Sequence, residues 1–179
     1  ERDAEELVQQ AMVPEEDQPY KVPENWLWVP YQIVSDRVGE SVSPFKFPEE
    51  IFELYSVPSW DNDSPEILIG DAIRSSKQAV EPGDVLLCKI NPRINRVWFV
   101  NDKHTYRQIA SSEWIICRPG ELFSSKCLMY YFASPFFRDL MNSNVSGVGG
   151  SLTRARPKTI VGYPIPLPPL PEQQRIVSV

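Results

Sequence analysis

The chain has 179 residues and a mass of 20.5 kDa, which suits one domain and leaves little room for a second. Apolar residues make up 42% and charged residues 23%, which excludes a wholly disordered chain. A formal net charge of −6 argues against a nucleic-acid partner when taken as one number, but its distribution along the chain is more informative. Three cysteines without a C-x-x-C spacing and a single histidine argue against a zinc site and favour a reducing compartment.

The first 25 residues form an acidic leader, with eight acids against two bases. Apolar residues recur at helical spacing over 1–12, and Pro14 ends this pattern, so we predict the end of a helix there. Three prolines among acids over 13–25 predict an extended linker. The leader does not resemble a signal peptide, and no apolar run approaches the roughly 20 residues of a membrane span. We therefore expect a cytoplasmic protein that does not enter a membrane.

The folded body is expected to begin at Trp26. Residues 81–84, Glu-Pro-Gly-Asp, have turn chemistry and precede a buried apolar run. Strands are predicted over 85–90, 96–100 and 113–118, and the first two make a basic hairpin joined by 91–95. Helices are predicted from Ser124 or Ser125 to Phe132 and over 136–141, where Pro135 occupies a first turn.

The last part of the chain changes character twice. Residues 142–150 are rich in glycine, serine and asparagine and predict a mobile loop, which leads into cations over 151–156. Residues 160–170 are prolyl and extended, and Pro171 begins a helix over 171–179. Nine residues are too few for an isolated helix, so this one is expected to continue in a longer protein or to pack on a neighbour.

Outside the leader, positive charge is concentrated in two segments. Basic island 1, residues 88–107, has five cations against Asp102, and basic island 2, residues 140–160, has three cations and no acid. Such segments are either solvated surface or the electrostatic footprint of a nucleic-acid partner. Charge alone does not choose between these readings.

Catalytic signatures are incomplete. An amino-methyltransferase needs a loop of Asp, Asn or Ser followed by two prolines and an aromatic residue. Residues 91–94 lack the second proline and the aromatic residue, and residues 134–137 lack the second proline. A metal-dependent nuclease would need an acid where Leu87 precedes Lys89, and no Gly-x-Ser-x-Gly elbow accompanies His104. A fragment of a methyltransferase or nuclease with its own active site remains one alternative. A proline-rich interaction module at 164–171 is another, although an SH3 ligand needs a flanking arginine.

Four motifs, in order along 23–177, decide the interpretation. The last is Pro164–Val177, with the sequence PIPLPPLPEQQRIV, which resembles the junction where a target recognition domain ends and a spacer helix begins in specificity subunits of type I restriction-modification enzymes. The others are Pro23–Trp26, which resembles the domain opening; 79–86, which resembles a central turn and strand; and Ser111–Trp114 with Arg118-Pro119.

The resemblance implies a non-catalytic module that reads one half of a split target in double-stranded DNA. Modification subunits would methylate adenine with S-adenosylmethionine, and a restriction subunit would cut; ATP and Mg are expected with these partners, and no cofactor or metal with this chain. The implied fold is α+β, a twisted mixed or antiparallel sheet with short flanking helices and stubs of spacer coiled-coil helices at both ends. The expected organisation is a helix end and linker over 1–25, a recognition domain over 26–170, and the start of a spacer helix over 171–179.

Candidate DNA contacts follow from side-chain chemistry. Lysine and arginine neutralise phosphates, whereas base identity needs bidentate donors such as arginine or asparagine, each worth about 1–3 kcal/mol. In basic island 1 the predicted contacts are Lys89, Asn91, Arg93, Asn95, Arg96, Lys103, His104, Tyr106 and Arg107. In basic island 2 they are Ser146, Ser151, Thr153, Arg154, Arg156 and Lys158. The aromatic residues Trp26, Trp28, Trp98, Trp114 and Tyr130–Phe132 are expected in the core.

Overall fold

The computed structural model describes residues 4–36, 39–143, 145–146 and 153–179. In these ranges the α-helices are α1 (Ala4–Ala11), α2 (Tyr31–Val34), α3 (Ser125–Phe132), α4 (Pro135–Ser143), α5 (Pro157–Ile160) and α6 (Leu170–Val177). The strands are β1 (Leu27–Pro30), β2 (Ser35–Asp36), β3 (Ser41–Val42), β4 (Ile51–Tyr55), β5 (Glu66–Ile69), β6 (Lys77–Ala79), β7 (Val85–Cys88), β8 (Val97–Phe99), β9 (Arg107–Ala110), β10 (Trp114–Pro119), β11 (Val145–Ser146), β12 (Arg154–Ala155) and β13 (Pro164–Leu167). The predicted α+β fold with antiparallel and mixed sheets and short helices is confirmed.

A two-stranded ribbon closes the body. β1 and β13 pair antiparallel, with Leu27 opposite Leu167 and Pro30 opposite Pro164. Prolines are tolerated in this ribbon because each of its strands pairs on one side only. The chain therefore enters and leaves the body at neighbouring points.

The predicted basic hairpin lies inside a four-stranded antiparallel sheet, in the order β2-β10-β7-β8. Leu86 of β7 lies opposite both Trp98 of β8 and Ile116 of β10, so the hairpin is at the centre of the packing. The predicted strand over 85–90 ends at Cys88 instead, since Ile90 turns away and forms a separate antiparallel bridge with Arg154.

A second sheet was not predicted from the sequence. Its order is β3-β6-β9-β4-β5, and β4 and β9 pair in parallel, with Leu54 opposite Ile109. The other described pairs in this sheet are antiparallel, which makes the sheet mixed. Parallel neighbours need a long crossover, and here that crossover contains the whole hairpin.

Helices α3 and α4 cover the central sheet with aromatic side chains. Trp28, Trp98, Trp114 and Phe132 are buried as expected, and so is Phe137, whereas Trp26 and Tyr131 are only partly buried. Tyr130 corrects that prediction, because half of it is exposed. It lies on the outer side of α3, where each turn has one face toward water.

The predicted linker is not a free tether. Its 13–25 segment contains a short 3₁₀ turn, Glu15–Asp17, and the Val13 N–H donates to the Trp28 carbonyl at 2.8 Å. The Tyr20 ring packs edge-on against Trp28, with centroids 4.9 Å apart. Val8 of α1 is only 4% exposed and belongs to the main core cluster, so the N-terminal helix is fastened to the body. Of the predicted mobile loop, 142–143 belong to α4 and 145–146 to β11, and the other residues lie outside the described ranges.

Candidate nucleic-acid interface

The tip of the β7–β8 hairpin is a tight turn. Asn91 and Asn95 have φ of 46° and 57°, in the left-handed region, and flank a 3₁₀ turn over Pro92–Ile94. Asparagine adopts this region more readily than other residues that carry a side chain. Both asparagines therefore have a conformational role besides the predicted DNA contact, and Arg93 is exposed between them.

The two basic islands meet beside this turn. The Ala155 N–H donates to the Lys89 carbonyl at 2.8 Å, and the Asn91 N–H donates to the Thr153 carbonyl at 2.8 Å. The Thr153 N–H in turn donates to Oδ1 of Asn91 at 3.2 Å. On its other edge β12 pairs with β11, with Arg154 opposite Ser146. Residues that are more than 60 apart in sequence thus form one surface.

Glu113, which belongs to the Ser111–Trp114 motif and was not predicted as part of the interface, lies beside this surface. The two terminal nitrogens of Arg154 donate to separate carboxylate oxygens of Glu113, at 2.7 and 3.0 Å. The Glu113 carbonyl also accepts from the Lys89 N–H at 2.9 Å. Nothing local in the sequence signals this pair, because its members are 41 residues apart.

Arg96 occupies a different environment from the exposed cations. Its guanidinium carbon lies 5.9 Å from the centroid of Trp60, whose Nε1–H donates to the Val97 carbonyl at 2.9 Å. Its Nε is buried without a hydrogen-bond partner in the structure. Arg96 is therefore partly packed against the body, which reduces its reach toward a phosphate.

The remaining contacts predicted in basic island 1 lie at the opposite end of the hairpin. The buried carboxylate of Glu53 accepts from the backbone N–H groups of Thr105 and Tyr106, at 2.9 and 3.3 Å. Arg107 lies in β9. One of its terminal nitrogens is 3.9 Å from Oε1 of Glu50, and its guanidinium carbon is 5.7 Å from the centroid of the Phe47 ring. Lys103 and His104 are exposed. The three-residue strand β8 separates the two ends by about 10 Å, so the structure divides island 1 into two groups.

The predicted contacts of basic island 2 are placed as follows. Arg156 and Lys158 are exposed, and Arg156 is the residue that precedes α5. Ser146 lies in β11, and Ser151 lies outside the described residues. Whether any of these fifteen residues contacts DNA stays a prediction.

Residues 81–84 form a turn that binds β10. Gly83 has φ of 91°, which residues with a side chain rarely adopt, and the Asp84 carboxylate accepts from the Glu81 N–H at 2.8 Å. Asp84 is 1% exposed and accepts two N–H groups of Arg118, each at 2.8 Å. The motif at 79–86 is therefore bound to the motif that contains Arg118-Pro119 by a forked ion pair.

The opening and closing motifs are also joined, in this case by hydrogen bonds from two neutral N–H donors to one carboxylate. The Glu172 carboxylate accepts from Nδ2 of Asn25 at 2.8 Å and from Nε1 of Trp26. These N–H donors, that of Asn25 first, lower the pKa of Glu172 below its ordinary value. Gln173 is fully buried, accepts from the Ser124 N–H at 2.6 Å, and donates to the carbonyls of Leu122 and Pro168. The orientation of α6 is thus fixed by the body.

The proline-rich segment is engaged within the fold. Residues Ile165–Leu167 of β13 are buried, and so is Pro168. A polyproline ligand has to present its prolines to a groove of the partner. This burial disfavours the alternative of a peptide-type interaction module.

Reactive groups are shielded in the described part of the chain. Cys88, Cys117 and Cys127 are buried free thiols, and burial raises the pKa of Cys117 to about 12 and that of Cys127 to about 11. Among the described residues, no group of three or more histidine, cysteine, aspartate or glutamate side chains could hold a metal ion. Within the same ranges, no helix combines the length and the apolar character needed to cross a bilayer.

Two curated proteins from Escherichia coli are similar to this chain. The EcoDI specificity subunit of a type I restriction enzyme is 24% identical over 159 residues, which is 87% of this chain and 34% of that protein. The EcoAI specificity subunit is 24% identical over 180 residues, which is 92% of this chain and 29% of that protein. The chain thus spans about a third of the length of these relatives. No protein-family profile matches the sequence.

Solved structures agree with this relationship. The HsdS subunit from Thermoanaerobacter tengcongensis superposes with a TM-score of 0.78 at 26% identity, covering 90% of this chain and 43% of that one. A chain from a structure on complex assembly and conformational transition of the type I R-M system superposes with a TM-score of 0.76, also at 26% identity, and covers 89% of this chain and 42% of that one. The resemblance predicted from the four motifs is confirmed: over about nine-tenths of its length, this chain is homologous to the specificity subunits of type I restriction enzymes.

Proposed function

We propose that the chain is a target recognition domain, which reads one half of a split target in double-stranded DNA for a type I restriction-modification complex. The homology to specificity subunits supports this function. The observation that carries it is the pairing of Lys89–Asn91 with Thr153–Ala155, because it joins the two basic islands into one surface. We call this surface the joined face, and its residues are Lys89, Asn91, Arg93, Thr153, Arg154, Arg156 and Lys158.

The joined face has the chemistry of a duplex-binding surface. Its lysines and arginines neutralise phosphates and release counterions, which gives an affinity that falls with salt. Arginine and asparagine can also read base edges in the major groove, although the geometry of Asn91 already uses its Oδ1 for the Thr153 N–H. Arg93 stands on a turn whose two ends are fixed, which favours it as a base-reading side chain.

Catalysis is assigned to partners and not to this chain. The proposed partners are modification subunits, which use S-adenosylmethionine, and a restriction subunit, which uses ATP and Mg. Helix α1 packs against β1 and α2, whereas α6 follows β13 and packs against α3; both are proposed to continue the spacer that docks these subunits. Their fixed attachment through Val8 and Gln173 supports this role, because a spacer has to transmit a defined orientation.

Fluorescence anisotropy with a 30-base-pair duplex tests the position of the interface. The double variant Arg156→Ala/Lys158→Ala removes two exposed cations of the joined face, and Lys103→Ala/Arg107→Ala removes two cations at the far end of the hairpin. We expect the first to lower the slope of log affinity against log salt by about two and the second to leave it unchanged. A larger effect at the far end would place the DNA there, and equal slopes for both variants and the wild type would contradict DNA binding through these islands.

A further inference from the structure

We infer that Glu113 is a positioning residue for DNA reading: it holds the guanidinium of Arg154 in one orientation, so that Arg154 discriminates at one base pair of the target. This inference rests on the proposed function and goes beyond it, because it assigns specificity to an acidic residue. An acid beside a DNA-binding surface otherwise opposes the binding of a polyanion.

The geometry of the pair is that of a fork. Each terminal nitrogen of Arg154 meets a different oxygen of Glu113, at 2.7 and 3.0 Å, so the guanidinium plane is fixed as well as its distance. The Arg154 side chain nevertheless stays 47% exposed, whereas that of Glu113 is 25% exposed. The arrangement therefore restrains the arginine without burying it.

Backbone contacts restrain both members of the pair. The Lys89 N–H donates to the Glu113 carbonyl at 2.9 Å, and Ile90 forms an antiparallel bridge with Arg154. The same three-residue segment, Lys89–Asn91, thus holds the backbone of both Glu113 and Arg154. Side-chain and backbone restraints together leave the guanidinium little freedom, which is what a base-reading group requires.

Stability does not account for this acid. Ion pairs between partly exposed side chains contribute little to folding, since solvent and salt screen them. Against a DNA partner, the carboxylate costs affinity wherever it lies close to phosphates. A restrained arginine, in contrast, loses less conformational freedom when it binds a base, and this gain applies only where the base fits. The repulsion between Glu113 and phosphates lowers the affinity for any duplex, whereas the restraint of Arg154 raises the affinity for the matching sequence. A binding experiment can therefore separate them.

The experiment uses the 179-residue chain and a library of duplexes with twelve randomised base pairs, from which bound duplexes are recovered and sequenced. The variants are Glu113→Gln, Arg154→Ala and Arg154→Lys. Glu121→Gln is the matched control, because it removes the same charge from an exposed glutamate outside the joined face. Urea denaturation of each variant establishes that it is folded at the temperature of the selection.

We expect Glu113→Gln and Arg154→Ala to lose preference at the same base pair, by roughly tenfold each. Glu113→Gln should also raise the affinity for a duplex without the selected sequence and steepen its salt dependence, whereas Arg154→Ala should do the reverse. Arg154→Lys keeps the charge but not the fork, so it should lose the preference and bind the unselected duplex within twofold of the wild type. Glu121→Gln should change none of these quantities.

Three results would overturn the inference. The first is a Glu113→Gln variant that keeps the wild-type preference at every position. The second is a loss at a base pair other than the one that Arg154→Ala affects. The third is an Arg154→Lys variant with the wild-type preference, which tests the fork even if Glu113→Gln does not fold. If the wild-type chain itself selects no sequence, the proposed function fails as well, and this outcome is distinct from the other three.

Discussion

Gln173 is the residue on which the attachment of α6 depends most directly. Its side chain has no exposed surface and makes three hydrogen bonds, one from the Ser124 N–H and two to the carbonyls of Leu122 and Pro168. The substitution Gln173→Leu keeps a similar volume and removes all three. Each backbone group left without a partner costs about 1 kcal/mol where water reaches it in part, so the total loss is about 3 kcal/mol.

Urea and thermal unfolding measure this loss. For a chain of this size we expect a decrease of roughly 6–12 °C in Tm, from ~2–4 °C per kcal/mol. Gln174→Leu is the control, because it makes the same change at the next position of α6, where the side chain is exposed. If the two variants differ in free energy of unfolding by less than about 0.5 kcal/mol, the buried hydrogen bonds of Gln173 do not hold α6 to the body, and the reasoning is refuted.

Two further predictions concern the other joints. Asp84→Asn should lower the free energy of unfolding, measured in urea, by about 3 kcal/mol, because a buried neutral amide cannot accept both N–H groups of Arg118. Glu81→Gln changes the exposed partner of the same arginine and should have a much smaller effect. Equal losses in the two variants would contradict the assignment. The pKa of Glu172 is lowered from its ordinary 4.5 in the folded state, so its carboxylate stabilises the fold above that pH, and the stabilisation is lost as pH falls through the folded pKa. The difference in unfolding free energy between wild type and Glu172→Gln should therefore shrink between pH 7 and pH 3, and a difference that is constant with pH would argue against this joint.

The elements that the sequence predicted well are those with local signals. The hairpin from Val85 to Phe99 follows from a Pro-Gly turn before it and from two apolar runs joined by 91–95. The α3 helix follows from its N-cap: of the two serines predicted to begin it, Ser124 is the cap, and its side chain accepts from the Cys127 N–H. In each case the determining residues are within a few positions of the element.

The features that were missed depend on distant residues. The five-stranded sheet has strands of two to five residues, and its parallel pair joins Phe52 to Arg107 across the entire hairpin. The pairing of Glu113 with Arg154 likewise joins residues that are 41 positions apart, which no local pattern encodes. The sequence groups basic island 1 as one segment because its residues are consecutive, but β8 carries the chain back along β7, so the first and last residues of the segment lie at opposite ends of the hairpin.

The ribbon of β1 and β13 has a consequence for how such a body can change. Leu27 faces Leu167, and Glu172 binds Asn25 and Trp26. The positions at which the chain enters and leaves the body are therefore set by residues outside the joined face. The residues of the joined face lie between these anchors and take no part in the hydrogen bonds that hold α6. On the proposed function, a new DNA preference can therefore arise by substitution within the joined face, while the contacts that orient α6 stay unchanged.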